Sequence, residues 1–211
     1  MSWQAIQFLR CSEEVKVTHN RLPHWQQEEG CYFLTFRLGD SLPSSLLERF
    51  RGERHRWLSF HPEPWDEQTE EEYHRRFSTR IDAWLDAGHG RCILADRENA
   101  SLVSAAFHYF EGERTIQHAF VIMPNHVHLL CSLAKGMDLG AIVSSWKSHT
   151  AKAIRRRLGE RGPLWQRDYF DRLIRSREHF LKVARYIRKN RVAVPTAMHY
   201  EAPWLQSLLD G

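Results

Sequence analysis

Two histidines, His126 and His128, lie one residue apart inside the apolar run MPNHVHLL. A short apolar run of this kind predicts a buried strand. Side chains two residues apart on a strand project from the same face, so both imidazoles would lie side by side, together with Leu130. Two adjacent imidazoles are spaced to hold one metal ion. The alternative is a pair of core histidines, each of which would need a buried hydrogen-bond partner.

A tyrosine and an asparagine near the C-terminus could complete such a site. The apolar positions of residues 180–190 recur at helical spacing: Phe180, Val183, Ala184 and Ile187. This stripe predicts a helix that docks on the sheet. Lys182, Tyr186 and Asn190 form a second row, four residues apart, along one flank of the helix. The polar ends of Tyr186 and Asn190 would therefore reach a bound ion at the rim of the contact. The alternative for Tyr186 is an amphipathic aromatic residue at the edge of the core.

The elements that must position these residues mix strands and helices. Strands are predicted at 31–38, 115–123 and 126–133, with a short extended segment at 92–95. Helices are predicted at 46–58 with Ser44 as a cap, and at 67–87, 97–112, 137–162 and 176–190, the last capped by Ser176. Residues 164–174 read as an aromatic connector of undefined structure. Because the strands and helices do not alternate regularly, we expect an α+β fold with a mainly antiparallel sheet.

The length and composition indicate one domain, residues 1–211, with a helical insertion around 44–90. Of the 211 residues, 42% are hydrophobic, which is enough for a packed core. No apolar run approaches the roughly 20 residues needed to span a bilayer. The four cysteines, Cys11, Cys31, Cys92 and Cys131, contain no CxxC pair, which argues against a zinc ribbon. We therefore expect a soluble cytoplasmic protein that does not contact membranes.

The charge distribution is more informative than the net charge of +4. Residues 61–72 are acidic, whereas residues 147–161 and 172–191 are strongly basic. A solvated helix face explains either basic run alone. Two such runs flanking one candidate site indicate instead a surface that attracts phosphates.

Four segments, in this order and at these intervals, resemble the REP-associated tyrosine transposases: MPNHVHLL, WKSHTAKAI, GPLWQRDYFDRLIR and YIRKN. That family belongs to the single-tyrosine HUH transposases, which act on single-stranded DNA. The similarity runs from about residue 21 to 194 and includes RLPHWQQEEGCYFLTFRLGDSLP and WLDAGHGRCILADRENASLV. The chain departs from the family at Asn190-Arg191, where Asn-Pro is usual, and at VAVP, where AGL usually follows.

The resemblance implies a fold and a chemistry. The fold would be a ferredoxin-like α+β sandwich, with the histidine pair on a central antiparallel strand and a C-terminal catalytic helix. His126 and His128 match the metal ligands of the HUH motif, and Asn190 matches a third, amide ligand. Tyr186 matches the nucleophile that cuts DNA and forms a 5′-phosphotyrosine. Two imidazoles and an amide make a weak, open site that suits Mg²⁺ or Mn²⁺.

The expected partner is single-stranded DNA, folded as a hairpin from a repeated extragenic palindrome, which would associate the protein with the nucleoid as a monomer or homodimer. Candidate DNA contacts are the basic and aromatic residues Lys147, Lys152, Arg155, Arg156, Trp165, Arg167, Tyr169, Arg172, Lys182 and Lys189. Of these, Trp165, Arg167 and Tyr169 would form a base-stacking or phosphate-contacting connector.

Several alternatives remain open at this point. Tyr169 is the competing nucleophile, and Asp168 and Asp171 could orient arginines or the ion. His118 and His149 are expected to be structural or exposed. A nucleic-acid-binding module that keeps the fold without cleaving is the alternative function, and a metallohydrolase for small substrates is a third.

Overall fold

The structure is a computed structural model that describes residues 6–10, 14–19, 23–62 and 65–210. Cys11 and the first two residues of the RLPHW segment lie outside these ranges. The described strands are β1 Lys16–His19, β2 Pro23–Gln26, β3 Cys31–Arg37, β4 Thr115–Ile122, β5 His126–Leu133, β6 Phe170–Leu173 and β7 Met198–Glu201. The described helices are α1 Ser44–Phe60, α2 Glu67–Tyr73, α3 Thr79–Asp86, α4 Arg97–His108, α5 Leu139–Leu158, α6 Arg177–Ala193 and α7 Pro203–Asp210.

Five strands form one sheet in the order β6-β3-β5-β4-β7, and every neighbouring pair is antiparallel. The succession β3, α4, β4, β5, α5, β6 is a βαββαβ unit, and its sheet order is that of a ferredoxin-like fold. Strand β7 extends the sheet beside β4, while β1 and β2 pair separately as a hairpin. The expected α+β fold with a central antiparallel strand carrying the histidines is confirmed.

The chain divides into two compact units. The described residues up to 39 and residues 93–210 form the sheet unit, and residues 40–92 form the second. This second unit contains α1, α2, a π-helical turn His74–Ser78 and α3 around the aromatic residues Phe50, Trp57, Tyr73 and Phe77. The single helix predicted over 67–87 is therefore interrupted by the π turn.

The two faces of the sheet pack against different helices, and β5 contributes side chains to both faces. Val127, Leu129 and Cys131 pack with α4 and α5. Leu130 packs on the other side with α6 and α7. Since alternate residues of a strand point to opposite faces, His126 and His128 share the α6 side with Leu130. We call this side the α6 face and the other the α5 face.

Helix α6 docks as its sequence predicts. The apolar stripe Phe180, Val183, Ala184 and Ile187 is buried on the α6 face. The Ser176 hydroxyl caps the helix by accepting the backbone N–H of His179 at 3.1 Å. Stripe and cap together fix the rotation and the start of the helix that carries Tyr186.

Several local predictions are wrong at the ends of elements. Residues 92–95 are not extended, because Ile93–Ala95 form a 3₁₀ turn in which the Leu94 amide donates to the Pro124 carbonyl at 3.0 Å. Helix α5 ends at Gly159, which adopts the left-handed conformation (φ 67°), rather than at Gly162-Pro163. The side chain of Ser44 does not cap α1, since the N-cap position is Pro43. Part of the aromatic connector is a strand, β6, and β7 and α7 were not predicted.

None of the described helices has the length and apolarity that a bilayer crossing requires.

A buried ion cluster ties the N-terminal hairpin to the segment before and within β6. The imidazole of His24 on β2 contacts the Asp171 carboxylate through Nδ1 and lies 3.1 Å from Asp168 through Nε2. Its ring stacks on Tyr169, with centroids 4.4 Å apart. Burial alone would lower the pKa of His24, but the hydrogen bonds and charges of the two carboxylates outweigh burial and raise that pKa from 6.5 to about 9. Asp168 and Asp171 thus hold a histidine, which was not among the roles expected for them.

We expect His24→Ala to lower the free energy of unfolding by about 3–5 kcal/mol near pH 6, because it leaves two buried carboxylates without their cation. The folded-state pKa lies above the unfolded value, so the stabilisation is complete below pH 6.5 and is lost as the pH rises through about 9. Urea unfolding of the wild type and the variant across this range should therefore give a difference that shrinks with pH.

The matched control is His149→Ala, which truncates an exposed histidine of α5 and should change stability little at any pH. A destabilisation by His24→Ala that is equal at both ends of the pH range would contradict the charged cluster.

Candidate active site

The two imidazoles of β5 converge in the interior of the α6 face. Both side chains are fully buried, and their Nε2 atoms lie 3.1 Å apart. The rings meet edge to face, with centroids 4.6 Å apart and an interplanar angle of 80°. The i, i+2 spacing on a strand therefore brings the two nitrogens to one point.

The outer nitrogens of the pair have partners. His126 Nδ1 lies 2.8 Å from Asn125 Oδ1, and because an amide oxygen can only accept, Nδ1 carries the proton and donates. His128 Nδ1 lies 2.8 Å from Thr35 Oγ1, which can accept in the same way. This tautomer leaves both Nε2 atoms with lone pairs that face one another. A cation between the rings suits this tautomer. In the other tautomer of His128, the Thr35 hydroxyl donates to Nδ1, and the Nε2–H of His128 donates to Nε2 of His126.

The separation of the nitrogens fits a divalent cation. Adjacent ligands of an octahedral ion at about 2.1 Å are about 3.0 Å apart, close to the observed 3.1 Å. Burial lowers the pKa of His126 to about 3. Burial, and then the neighbouring His126, lower the pKa of His128 well below its usual value. Both rings are therefore neutral near pH 7, and the neutral form is the one that binds a metal.

Tyr186 reaches this pair from α6 of the same chain. Its hydroxyl lies 3.2 Å from His128 Nε2, and its ring meets that of His128 at 69° with centroids 5.1 Å apart. Phe33 on β3 packs against both rings, stacked on His128 and edge-on to Tyr186. A phenol and two imidazoles, separated by 58 and 60 positions in sequence, thus meet at one place.

The competing tyrosine, Tyr169, lies elsewhere. It belongs to the core of the α5 face and stacks on His24, while Tyr186 lies on the opposite side of the sheet. Burial, and secondarily nearby carboxylates, raise the pKa of Tyr169, which disfavours its phenolate. The geometry therefore favours Tyr186 as the nucleophile.

Asn190 lies one turn beyond Tyr186 and is buried. Its amide N–H donates to the Tyr186 carbonyl at 3.0 Å, so the amide oxygen is the atom it could offer to a cation. In the described residues no hydrogen bond joins Asn190 to the imidazoles. Over the same part of the chain, no group of three or more His, Cys, Asp or Glu side chains has an arrangement that could hold a metal ion. Any cation here would thus rely on the two imidazoles, an amide and oxygens of a substrate or water.

Of the two basic runs expected to flank the site, 172–191 includes α6 and lies beside it, whereas 147–161 does not. Helix α5 packs on the α5 face, so Lys147, Lys152, Arg155 and Arg156 are separated from the imidazoles by the sheet. Lys147 is half-buried and donates to the Arg167 carbonyl at 2.8 Å, and burial lowers its pKa to about 8. That side chain has a structural role.

The remaining candidate DNA contacts differ in exposure. Lys182 and Lys189 are exposed on α6, the helix of Tyr186, and Arg167 is exposed in the connector. Arg172 is half-buried on β6.

The two aromatic residues predicted to stack on bases are core residues. Trp165 is buried, and its indole N–H donates to the Thr150 hydroxyl at 2.9 Å. Tyr169 is buried beneath His24. The expectation that these two rings form a base-stacking surface is wrong, because both rings already fill the core of the α5 face. The aromatic run carried no periodicity from which this burial could be predicted.

Sequence reasoning missed Thr35 and Phe33, which orient and cover the rings. Thr35 is the cross-strand partner of His128, and nothing in the sequence identifies that register. The side-chain role of Asn125, which directly precedes His126, was also missed.

Comparison with known sequences supports one family. Residues 96–190 match the family described as Transposase IS200 like. No curated protein matches the chain. A solved structure described as a REP-associated tyrosine transposase bound to a REP hairpin is 14% identical, with a TM-score of 0.41 over 82% of this chain and 73% of that chain. The matched segment, 96–190, contains both histidines, Tyr186 and Asn190 and is similar to the IS200-like transposases.

Proposed function

We propose that the protein is a metal-dependent transposase that nicks and rejoins single-stranded DNA through a covalent bond to Tyr186. One observation carries the proposal: the Tyr186 hydroxyl lies 3.2 Å from Nε2 of His128, which is 3.1 Å from Nε2 of His126. A nucleophile beside a pair of metal-ligand nitrogens is the arrangement that phosphodiester cleavage requires.

His126 and His128 would hold the cation, with Asn190 as the third protein ligand, and Mg²⁺ or Mn²⁺ suits this donor set. When bound, the ion supplies Lewis-acid polarisation of the scissile phosphate. The protein contributes the orientation of the rings, because Thr35 and Asn125 fix their outer nitrogens at 2.8 Å. It also buries both imidazoles, and this burial lowers their pKa values and keeps the rings neutral near pH 7.

Tyr186 would attack the phosphorus of the scissile phosphate. The phenolic O–H bond and the bond from phosphorus to the 3′ oxygen break, and a bond from the tyrosine oxygen to phosphorus forms. The departing 3′ oxygen takes up a proton, and the phenolic proton is released to solvent. The 5′-phosphotyrosine keeps the energy of the phosphodiester, so a 3′-hydroxyl can reverse the step and rejoin the strand. A hydrolase that uses water would not retain this option.

The proposed substrate is single-stranded DNA beside a hairpin formed by a palindromic repeat. The resemblance of the four sequence segments to REP-associated tyrosine transposases supports this choice. The cations Lys182, Arg185 and Lys189 also support it, since they lie on the exposed side of α6, the helix of Tyr186, and would attract phosphates.

Substitution of the nucleophile tests the reaction. With labelled hairpin oligonucleotides and Mn²⁺, we expect Tyr186→Phe to abolish the covalent adduct seen by denaturing electrophoresis, because the attacking oxygen is removed. Binding of the same DNA should persist. The matched control, Tyr169→Phe, removes a buried hydroxyl of the α5 face and should leave the adduct intact.

An adduct that survives in Tyr186→Phe would contradict the assignment of the nucleophile. The absence of an adduct in the wild-type protein, with DNA binding retained, would favour a non-cleaving binding module.

The orientation of the rings can be tested through the metal alone. Thr35→Val keeps the side-chain volume but removes the partner of His128 Nδ1, so we expect Mn²⁺ affinity to fall by about 10–100-fold. Titration calorimetry, or the electron paramagnetic resonance signal of free Mn²⁺, would measure this affinity in the wild type and the variant.

Ser132→Ala is the control, because it removes a hydroxyl 2.8 Å from the imidazole of His118, a histidine outside the pair. Equal losses of Mn²⁺ affinity in both variants would show that Thr35 acts through general stability rather than through His128.

A further inference from the structure

A pocket of about 630 Å³ opens at the edge of the sheet beside β7. It is bounded by the C-terminal end of α6, the turn that follows, β7 and α7, and its polar lining comes from Arg191, His199, Glu201 and Gln206. Its volume is in the range of small-ligand sites. No residue of this pocket has a role in the chemistry proposed above.

The pocket lies on the same face as the histidine pair. Val121 on β4 pairs with His128 on one side and with His199 on the other. Directly paired residues of neighbouring strands point to the same face. Two strand spacings separate His199 from His128, which places their backbones about 10 Å apart. Arg191, at the pocket, directly follows Asn190 and lies five residues beyond Tyr186 on the same helix.

The charges of the pocket leave one cation available. Glu201 accepts three hydrogen bonds from Arg188, two from Nε at 2.9 and 3.2 Å and one from Nη2 at 2.6 Å. His199 lies 3.0 Å from the same carboxylate. Arg188 is also bonded to Asp210 at 2.6 Å. Arg191 is exposed and makes no ion pair with any described residue. Its guanidinium can therefore bind a phosphate.

Planar hydrogen-bonding groups lie beside this cation. The imidazole of His199 lines the pocket with its side chain 7% exposed and Nε2 3.0 Å from Glu201. Gln206 presents an exposed carboxamide, which has donors and an acceptor and makes one long hydrogen bond, 3.4 Å, to the Glu201 carbonyl. Donor–acceptor groups of this kind recognise the edge of an unpaired nucleobase, while a nearby arginine recognises its phosphate. This pocket has a cation and donor–acceptor groups and lies on the same face as Tyr186, so it suits a single nucleotide better than an apolar ligand.

We propose that this pocket holds one nucleotide of the single strand close to the scissile phosphate, with its phosphate at Arg191 and its base edge at Gln206 and His199. This inference rests on the proposed function, since it names a subsite for the same strand. It makes the pocket a determinant of the sequence that is cleaved. The base in the pocket would be read by side chains, in addition to any reading of the hairpin.

The test pairs protein variants with abasic DNA. A hairpin oligonucleotide with a single-stranded flank, chosen from a random-sequence pool by adduct formation, is made with one abasic site at each flank position in turn. Binding is measured for the wild type, Gln206→Ala and Arg191→Ala. We expect one abasic position to weaken wild-type binding about tenfold, and to have no further effect in Gln206→Ala, because the contact is already lost.

Lys135→Ala is the control, since it removes an exposed cation in the loop after β5, outside the pocket and α6, and should retain the abasic effect. Both pocket variants change exposed side chains, so the fold is expected to persist. In Arg191→Ala we expect weaker binding and a smaller dependence of binding on salt concentration.

The outcomes separate this inference from the proposed function. If the wild type forms the Tyr186 adduct but no abasic position is coupled to Gln206, the nucleotide pocket is overturned and the function stands. If Arg191→Ala weakens every oligonucleotide equally and Gln206→Ala changes nothing, the surface contacts only the backbone, which also overturns base recognition. If no oligonucleotide gives an adduct or binds, the function fails and the pocket proposal fails with it.

Discussion

The site depends on the enclosure of two neutral imidazoles whose inner nitrogens are 3.1 Å apart. When each ring donates outward, the two inner lone pairs face each other, and a cation between them would relieve their repulsion. Thr35, Asn125 and Phe33 hold the rings in this orientation, although none of them would touch a reacting atom. The sheet therefore pre-organises the site at a cost in folding stability, since both histidines lose their protonated form on burial.

The side chains of β5 alternate between the two faces of the sheet, so one strand contributes to the hydrophobic core and to the candidate site. Its odd-numbered residues from 127 to 131 pack against α4 and α5, and its even-numbered residues face α6. Helix α5 covers the opposite face, so the sheet lies between the basic residues of α5 and the imidazoles. Helix α6 then carries Tyr186, its own packing stripe and nearby exposed cations. These roles are compatible because they occupy different sides of one helix.

The parts of this arrangement that follow a local period could be predicted from the sequence. The i, i+2 rule placed His126 and His128 together, and the helical stripe from Phe180 to Ile187 placed Tyr186 at the rim. The parts that depend on long-range pairing could not be predicted. Thr35 meets His128 across 93 positions and His24 meets Asp171 across 147, so neither contact has a local signal. The aromatic connector misled the prediction of DNA contacts because hydrophobic rings without periodicity suit a core and a stacking surface equally well.

The placement of Tyr186 also depends on a contact outside the chemistry. Arg188, two residues further along α6, binds the carboxylate of Glu201 on β7, whose side chain is only 3% exposed. A carboxylate this deeply buried is satisfied only while α6 is docked against β7, because leaving it unpaired would cost several kcal/mol. The apolar stripe sets the rotation of the helix, and this ion pair opposes its sliding along the sheet. The phenol therefore stays within hydrogen-bonding distance of the imidazole pair by virtue of contacts made at the edge of the sheet.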